Sequence, residues 1–193
     1  MRRPPTEAEQ AALEKLRAIP ESERYHEILD GAVVKKPSAG FAHGHAQAKL
    51  GATLLRAGSA GMWLGLEVEV QLGGEVFYAQ PDLAGWSRAR LPKIPRTAPI
   101  HVAPDWIGEI VSLSDPERDT VIKRRGYAEA GVPFFWLVEL EPRALTALVL
   151  QDGSYRVDRV AQPGDCVRLR PFEDIELLVE LLFLPARFTR GEP

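Results

Sequence analysis

The sequence predicts a mixed α/β protein, of the α+β kind with one parallel strand pair. Three observations carry this. Strand patterns occur early in the chain, between helices, and late. The unit at 105–140 reads strand–helix–strand, which requires a right-handed crossover and therefore a parallel pair. No linker or internal repeat divides the 193 residues. Residues 1–193 therefore read as one domain, long enough for a substantial core.

Each element has its own signal. "TEAEQAALEKLRA" (6–18) reads as a helix, with Thr6 and Glu9 at capping-box spacing and Pro20 as a stop. "RYHEILDGAVVKK" (24–36) reads as two short strands joined at Asp30-Gly31, a strong hairpin dipeptide. After the loop "PSAG" (37–40), residues 43–58 read as a helix with Leu50, Leu54 and Leu55 on one face and Gly58 near its end. Residues 62–72 read as a half-buried strand, Leu66, Val68, Val70 and Leu72 alternating with Glu67, Glu69 and Gln71. Gly73-Gly74 turns it back into a strand at 75–86. The stretch 87–99 is rich in Pro and Arg and reads as an exposed basic loop. "DWIGEIVSL" (105–113) is nearly continuous in apolar residues, as a central strand covered on both faces must be. Residues 115–131 read as a helix, with Asp115 as N-cap, Pro116 in first position and Gly131 just past the end. Residues 132–140 form a second central-type strand. Residues 144–160 form a hairpin about Asp152-Gly153, and 165–185 hold two strands, or a strand and a short helix. The chain thus divides into an N-terminal helix (6–18), a core (24–140) and a β-rich C-terminal extension (144–185).

Composition excludes several classes. Hydrophobic residues make up 45% and charged residues 26%, with a net charge of -3 and a pI near 5.9. Nothing global advertises nucleic-acid binding, so such a site must be a local basic patch. Cys166 is the only cysteine, which leaves no disulfide framework and no Cys-based zinc site. No apolar run reaches the ~18 residues of a membrane span. The start "MRRPPTEAEQ" lacks the apolar stretch of a signal peptide. The expectation is an intracellular, cytoplasmic protein without membrane association.

One residue stands out. Glu109 sits inside the apolar run "DWIGEIVSL", where an unpaired carboxylate costs several kcal/mol. Asp82 follows Pro81 at a strand end, Lys123 lies one helix later, and Glu27 lies in the first hairpin. Three carboxylates and a lysine, each in or beside an apolar element, suit Mg²⁺ or Mn²⁺, which take hard oxygen ligands. Such an ion polarises a phosphoryl oxygen and acidifies bound water.

These residues also carry a resemblance. "EILDG" (27–31), "PSAGFAH" (37–43), "PDL" (81–83), "EIVSLS" (109–114), Asp119 with Lys123 and Tyr127 at four-residue steps, and "AGVPFFWLVE" (130–139) follow one another in the order and spacing of a known family. The chain resembles the Uma-type restriction endonucleases, a bacterial branch of the PD-(D/E)XK nuclease superfamily. The resemblance runs from Tyr25 to about Glu139, with similarity to about Val160. It implies a restriction-endonuclease-like mixed sheet flanked by helices, with a further C-terminal hairpin region. It implies Asp82 and Glu109 as metal ligands, Glu27 as an auxiliary ligand, and Lys123 as the catalytic lysine supplied from the following helix. It places His43 and Tyr127 at the site, and nucleic acid, DNA first, as the partner. The superfamily's lysine two residues after the glutamate is absent, because that position is Val111. A proline is missing from "VSLS", Glu139 stands where the family has aspartate, and His26 stands where it has an aromatic.

Taken singly, each residue has a plainer reading. Asp82 is then a turn acid after proline, Glu109 a strand-end acid, Lys123 a solvated charge beside Arg124 and Arg125, and Glu27 a surface strand acid. His43 and His45 form an H-x-H, but nothing completes a zinc site. Ser112 and Ser114 lack the base or elbow of a nucleophile; they either cap the strand end or line the site. "GSAGMWLG" precedes a strand rather than a helix, so it is no phosphate loop. Arg88, Arg90, Lys93 and Arg96 are either a solvated loop or phosphate contacts. The apolar residues of 172–184 could serve a homodimer. The functional alternatives are a metal-dependent endonuclease and a catalytically inactive nuclease-fold module that binds nucleic acid or a protein partner.

Overall fold

The capping box forms as expected. Thr6 Oγ1 accepts from the Glu9 amide and Glu9 reaches back to the Thr6 amide, which starts helix α1 (Glu7–Ala18). The computed structural model describes residues 6–23, 25–56, 61–73, 77–112 and 114–185. Helix α1 buries Ala12, Leu13 and Leu16 on the hairpin of β1 (His26–Leu29) and β2 (Ala32–Lys35). Asp30 and Gly31 both take positive φ (51° and 74°), the primed two-residue turn that matches strand twist.

Helix α2 (Phe41–Arg56) follows, then β3 (Met62–Leu66), β4 (Val70–Leu72), β5 (Phe77–Ala79), β6 (Leu83–Ser87) and β7 (Trp106–Val111). A π-helical segment, Arg118–Lys123, runs straight into helix α3 (Arg124–Glu129). The chain continues as β8 (Phe134–Glu139), β9 (Ala144–Gln151), β10 (Ser154–Ala161), β11 (Cys166–Leu169) and β12 (Phe172–Leu178), and a 3-10 turn at Val179–Leu182. The strands form a six-stranded mixed sheet in the order β10-β9-β8-β7-β6-β3, a four-stranded antiparallel sheet β2-β1-β5-β4, and the pair β11-β12. Only β7 and β8 of the large sheet run parallel, as the crossover requires.

Every residue of β7 is buried, because both faces are covered. On one face Trp106, Ile110, Trp136 and Val138 pack with Leu50 and Leu54 of α2 and with Phe172 and Ile175 of β12. The rings of Trp106, Trp136 and Phe172 meet edge-on at 5.1–5.6 Å, contacts worth about 1 kcal/mol each beyond burial. On the other face Ile107, Val111, Phe135 and Leu137 pack with Tyr127 and Val132. Glu109 shares the parity of Ile107 and Val111, so it points into this second core.

Gly126 lets α3 lie close on β5. A Cβ there would stand 2.3 Å from the Phe77 ring, which itself meets Tyr127 edge-on. Alanine favours helix by about 1 kcal/mol, but overpacking costs about 1–3 kcal/mol. Gly126→Ala is therefore expected to lower stability; an unchanged or raised midpoint in urea unfolding would contradict this.

Four expectations need correction. Residues 62–72 are two strands, not one. Glu67 takes φ 54°, and the chain leaves the large sheet after Leu66 and enters the small one at Val70. The alternation is the same whether or not the strand breaks, and Leu66 is half exposed. Likewise 75–86 is β5 and β6, in different sheets, interrupted at Gln80–Asp82. Helix α2 begins at Phe41, and Leu55 points to solvent while Leu50 and Leu54 are buried. The 115–131 helix begins at Pro116 but is π-helical in its middle; Gly131, with φ 76°, ends it as expected. Gly58, Gly74 and Leu113 lie outside the described residues. In 172–184, Phe172, Ile175, Leu177, Val179, Leu182 and Phe183 are buried in the chain's own core, so the apolar content offered for a dimer is largely inward.

Candidate active site

The chain passes between the two sheets once through α2 and twice more directly, at Glu67–Glu69 and at Gln80–Asp82. The passages are tied together: Glu67 N donates to Asp82 O (3.3 Å), and Gln80 Nε2 donates to Glu67 O (3.0 Å). At both places the backbone leaves its ladder, and Glu67, Gln80 and Asp82 line a cleft of about 610 Å³.

Asp82, Glu109 and Lys123 meet in this cleft, as the spacing predicts. Asp82 Oδ2 accepts from the Ile110 amide (2.7 Å) and lies 3.1 Å from His43 Nε2. Its Oδ1 accepts from Lys36 Nζ (3.0 Å). Burial opposes the charge, yet the His43 hydrogen bond and the nearby Lys36 hold Asp82 well below the usual carboxylate range. Burial likewise opposes a proton on His43, but Asp82 outweighs it and raises the histidine. Glu109 Oε1 accepts from Lys123 Nζ (3.2 Å) and Tyr127 Oη (2.7 Å), and Oε2 faces the Asp82 amide (3.4 Å). Burial pushes Glu109 up to about 8; Lys123 pulls against this and Asp82 adds to it. Two neighbouring acids are thus driven apart, one firmly ionised and one holding its proton near neutrality.

Glu27 is fully buried. Its Oε1 accepts from Gln80 N (2.9 Å) and lies 3.0 Å from Lys123 Nζ, while Oε2 has no hydrogen-bond partner. Lys123 is 1% exposed and meets three carboxylates: Glu27, Glu109, and Asp119 at 3.4 Å. Burial works against its charge, but these acids raise it well above an ordinary lysine. Tyr127, buried and beside Glu109, is raised too and acts as a neutral donor. Ser112 donates its amide to Asp119 Oδ2 (3.1 Å), and its hydroxyl pairs with Ser114 (2.9 Å) on the cleft wall.

The basic loop is elsewhere. Arg88, Arg90, Lys93 and Arg96 follow the far end of β6, five strand residues from Asp82, and none lines the cleft. Arg90 pairs with Asp105 (2.7 Å), and Arg88 lies over the Trp63 ring at 4.8 Å.

Sequence reasoning assigned no role to Lys36, Glu67 or Arg118, and named Asp119 only as a spacing mark. Lys36 Nζ is held by three oxygens: Asp82 Oδ1, Gln80 O (2.8 Å) and Glu67. Its signal is weak, the second of two lysines ending a hairpin. Glu67 also accepts from Gln47 Nε2 (2.8 Å). Asp119 could have been found as the i, i+4 partner of Lys123.

The donor set fits a hard cation. Among the described residues no three His, Cys, Asp or Glu side chains are grouped to hold a metal. Mg²⁺, however, keeps several waters and needs one or two carboxylates; Asp82 and Glu109 are the pair that would hold it. The three oxygens around the Lys36 ammonium, and the unpartnered Glu27 Oε2, are of the same hard class.

A family model, Uma2, described as "Putative restriction endonuclease", matches residues 13–180. Among solved structures, the chain is similar to one from Anabaena variabilis described as "a putative nuclease belonging to DUF820". The two share 21% identity and a TM-score of 0.72, over 89% of this chain and 97% of that one. At that identity the likeness is one of fold. No curated protein matches the sequence.

Proposed function

The chain belongs to the Uma2 family of restriction-endonuclease-like proteins, and from that membership we propose that it hydrolyses nucleic-acid phosphodiester bonds, DNA foremost, with Mg²⁺ or Mn²⁺ held by Asp82 and Glu109. The observation that carries the proposal is the convergence of Asp82, Glu109 and Lys123 in one cleft between two sheets. The ion would supply polarisation of a phosphoryl oxygen and an acidified water. The chain's own groups prepare its place. His43 and the Ile110 amide fix Asp82 ionised and oriented. Lys123 and Tyr127 fix Glu109, and Lys123 offsets the charge gathered at Glu27 and Asp119. Because Glu109 holds a proton up to about pH 8, metal affinity should weaken as pH falls below that value.

The test is cleavage of supercoiled plasmid and of labelled RNA in Mg²⁺, in Mn²⁺ and in EDTA. Nicking or linearisation that EDTA abolishes supports the proposal. A second reading is favoured by one observation: Lys36 and Lys123 already neutralise the acids without a metal. The protein would then be an inactive module that binds nucleic acid or a protein partner. Uncut plasmid that is nevertheless retarded in a gel would select binding of nucleic acid.

Glu109→Gln separates a functional from a structural role. The amide oxygen can still accept from Lys123 and Tyr127, leaving NH₂ toward the Asp82 amide, a mismatch of about 1–3 kcal/mol. Against this, wild-type Glu109 has a folded pKa near 8 against 4.5 for the free acid. The folded state therefore binds more protons, and this group's contribution falls as pH rises from 4.5 to 8. Glu109→Gln should abolish cleavage, stay folded, and flatten the stability profile across that window. Unfolding of the variant, or cleavage at the wild-type rate, would count against the assignment.

A further inference from the structure

We propose that Arg118 forms an anion subsite that grips a backbone phosphate beside the one cut, a proposal that rests on the nuclease reading above. Arg118 is 6% exposed, sits on the π-helical segment and lines the cleft. Burial of a guanidinium calls for a matched anion or a full set of acceptors. Arg118 has neither. Its Nη1 reaches the Lys35 carbonyl at 3.4 Å, its Nε has no hydrogen-bond partner, and the nearest carboxylate, Asp115, lies 3.9 Å away on a half-exposed side chain. Lys123, five residues on, differs in this respect, with three carboxylates within 3.4 Å.

The surroundings suit a phosphate. The Lys35 side chain is exposed at the cleft, and the Ser112 and Ser114 hydroxyls stand on the same wall. A guanidinium presents parallel donors that match two phosphate oxygens. Arg118 lines the same cleft as the cluster of Asp119, Lys123 and Glu109, so an anion at Arg118 would share that cleft with the reacting phosphate. Asp115 is then a weak internal competitor that the phosphate replaces.

The experiment is fluorescence anisotropy with a labelled DNA duplex in Ca²⁺, an oxygen-seeking ion of looser geometry than Mg²⁺, over a range of salt. Wild type is compared with Arg118→Met, Arg118→Lys and Asp115→Asn. Arg118→Met should weaken binding about tenfold or more and reduce the salt slope by about 0.9, one phosphate contact. Arg118→Lys should keep the slope and lose part of the affinity, and Asp115→Asn should tighten binding. Should Arg118→Met fail to fold, the lysine variant and Asp115→Asn, altered only at an exposed acid, carry the test. Unchanged affinity and slope in the arginine variants, or weaker binding in Arg118→Met at the wild-type slope, would overturn the subsite. Wild type that binds no duplex would overturn the DNA reading, and the subsite with it.

Discussion

Lys123→Met is expected to destabilise the protein by about 3–5 kcal/mol near neutral pH, the cost of stranding buried charges. Lys123 is the shared counter-ion of Glu27, Glu109 and Asp119. Without it the buried acids lose their shared partner. Lys123 also holds Glu109 down, so without it that carboxyl, already at about 8, rises further. Both folded states keep the Glu109 proton below about pH 8 and only the variant's keeps it above, so the variant's stability goes on falling where the wild type's levels off. The deficit against wild type should therefore be smaller at pH 7 and larger at pH 9. Urea unfolding of both proteins at those two pH values measures it. A deficit that does not change with pH would mean that Lys123 acts through packing, and no deficit would mean that the three contacts contribute nothing to stability.

Asp82→Asn should leave a folded protein that has lost more than about 100-fold in divalent-metal affinity, the upper range seen when only a ligand's supporting partner is removed, and with it detectable cleavage. The amide oxygen can still accept from Ile110, and Lys36 keeps Glu67 and the Gln80 carbonyl. The stability loss should therefore stay near 1–3 kcal/mol. Calorimetric titration with Mg²⁺, wild type beside variant, separates the two effects. Equal metal affinity in both would remove Asp82 from the ligand set; retained cleavage would remove it from the reaction.

Much of this was legible in the sequence because it depends on local chemistry. A capping box, two Asp-Gly turns and a nearly continuous apolar run have few alternative readings, and they located α1, both hairpins and β7. Glu109 was legible because an acid in an apolar strand demands a partner; its grouping with Asp82 and Lys123 rested on the family resemblance of their motifs. The breaks at Glu67 and Gln80–Asp82 were not, since period-2 alternation is blind to which sheet a strand joins. Lys36 and Glu67 are cleft residues only because of those breaks. The π-helical stretch was hidden for a related reason: "RDTVIK" has no residue that an ordinary helix would refuse.

That stretch sets design against function. In a π-helix each hydrogen bond reaches one residue further than in an α-helix, a rare arrangement found mostly at functional sites. Six residues of it here carry the buried Arg118, Asp119 and Lys123, while Val121 between them faces solvent. An engineer idealising this backbone would delete one residue, and Val121 is the obvious choice. The shortened helix would be more regular. It would also make Asp119 and Lys123 i, i+3 rather than i, i+4 neighbours, and remove the wide turn on which Arg118, Asp119 and Lys123 reach the cleft. The wide turn thus serves the cleft rather than the helix, and regularity gained there would come at the site's expense.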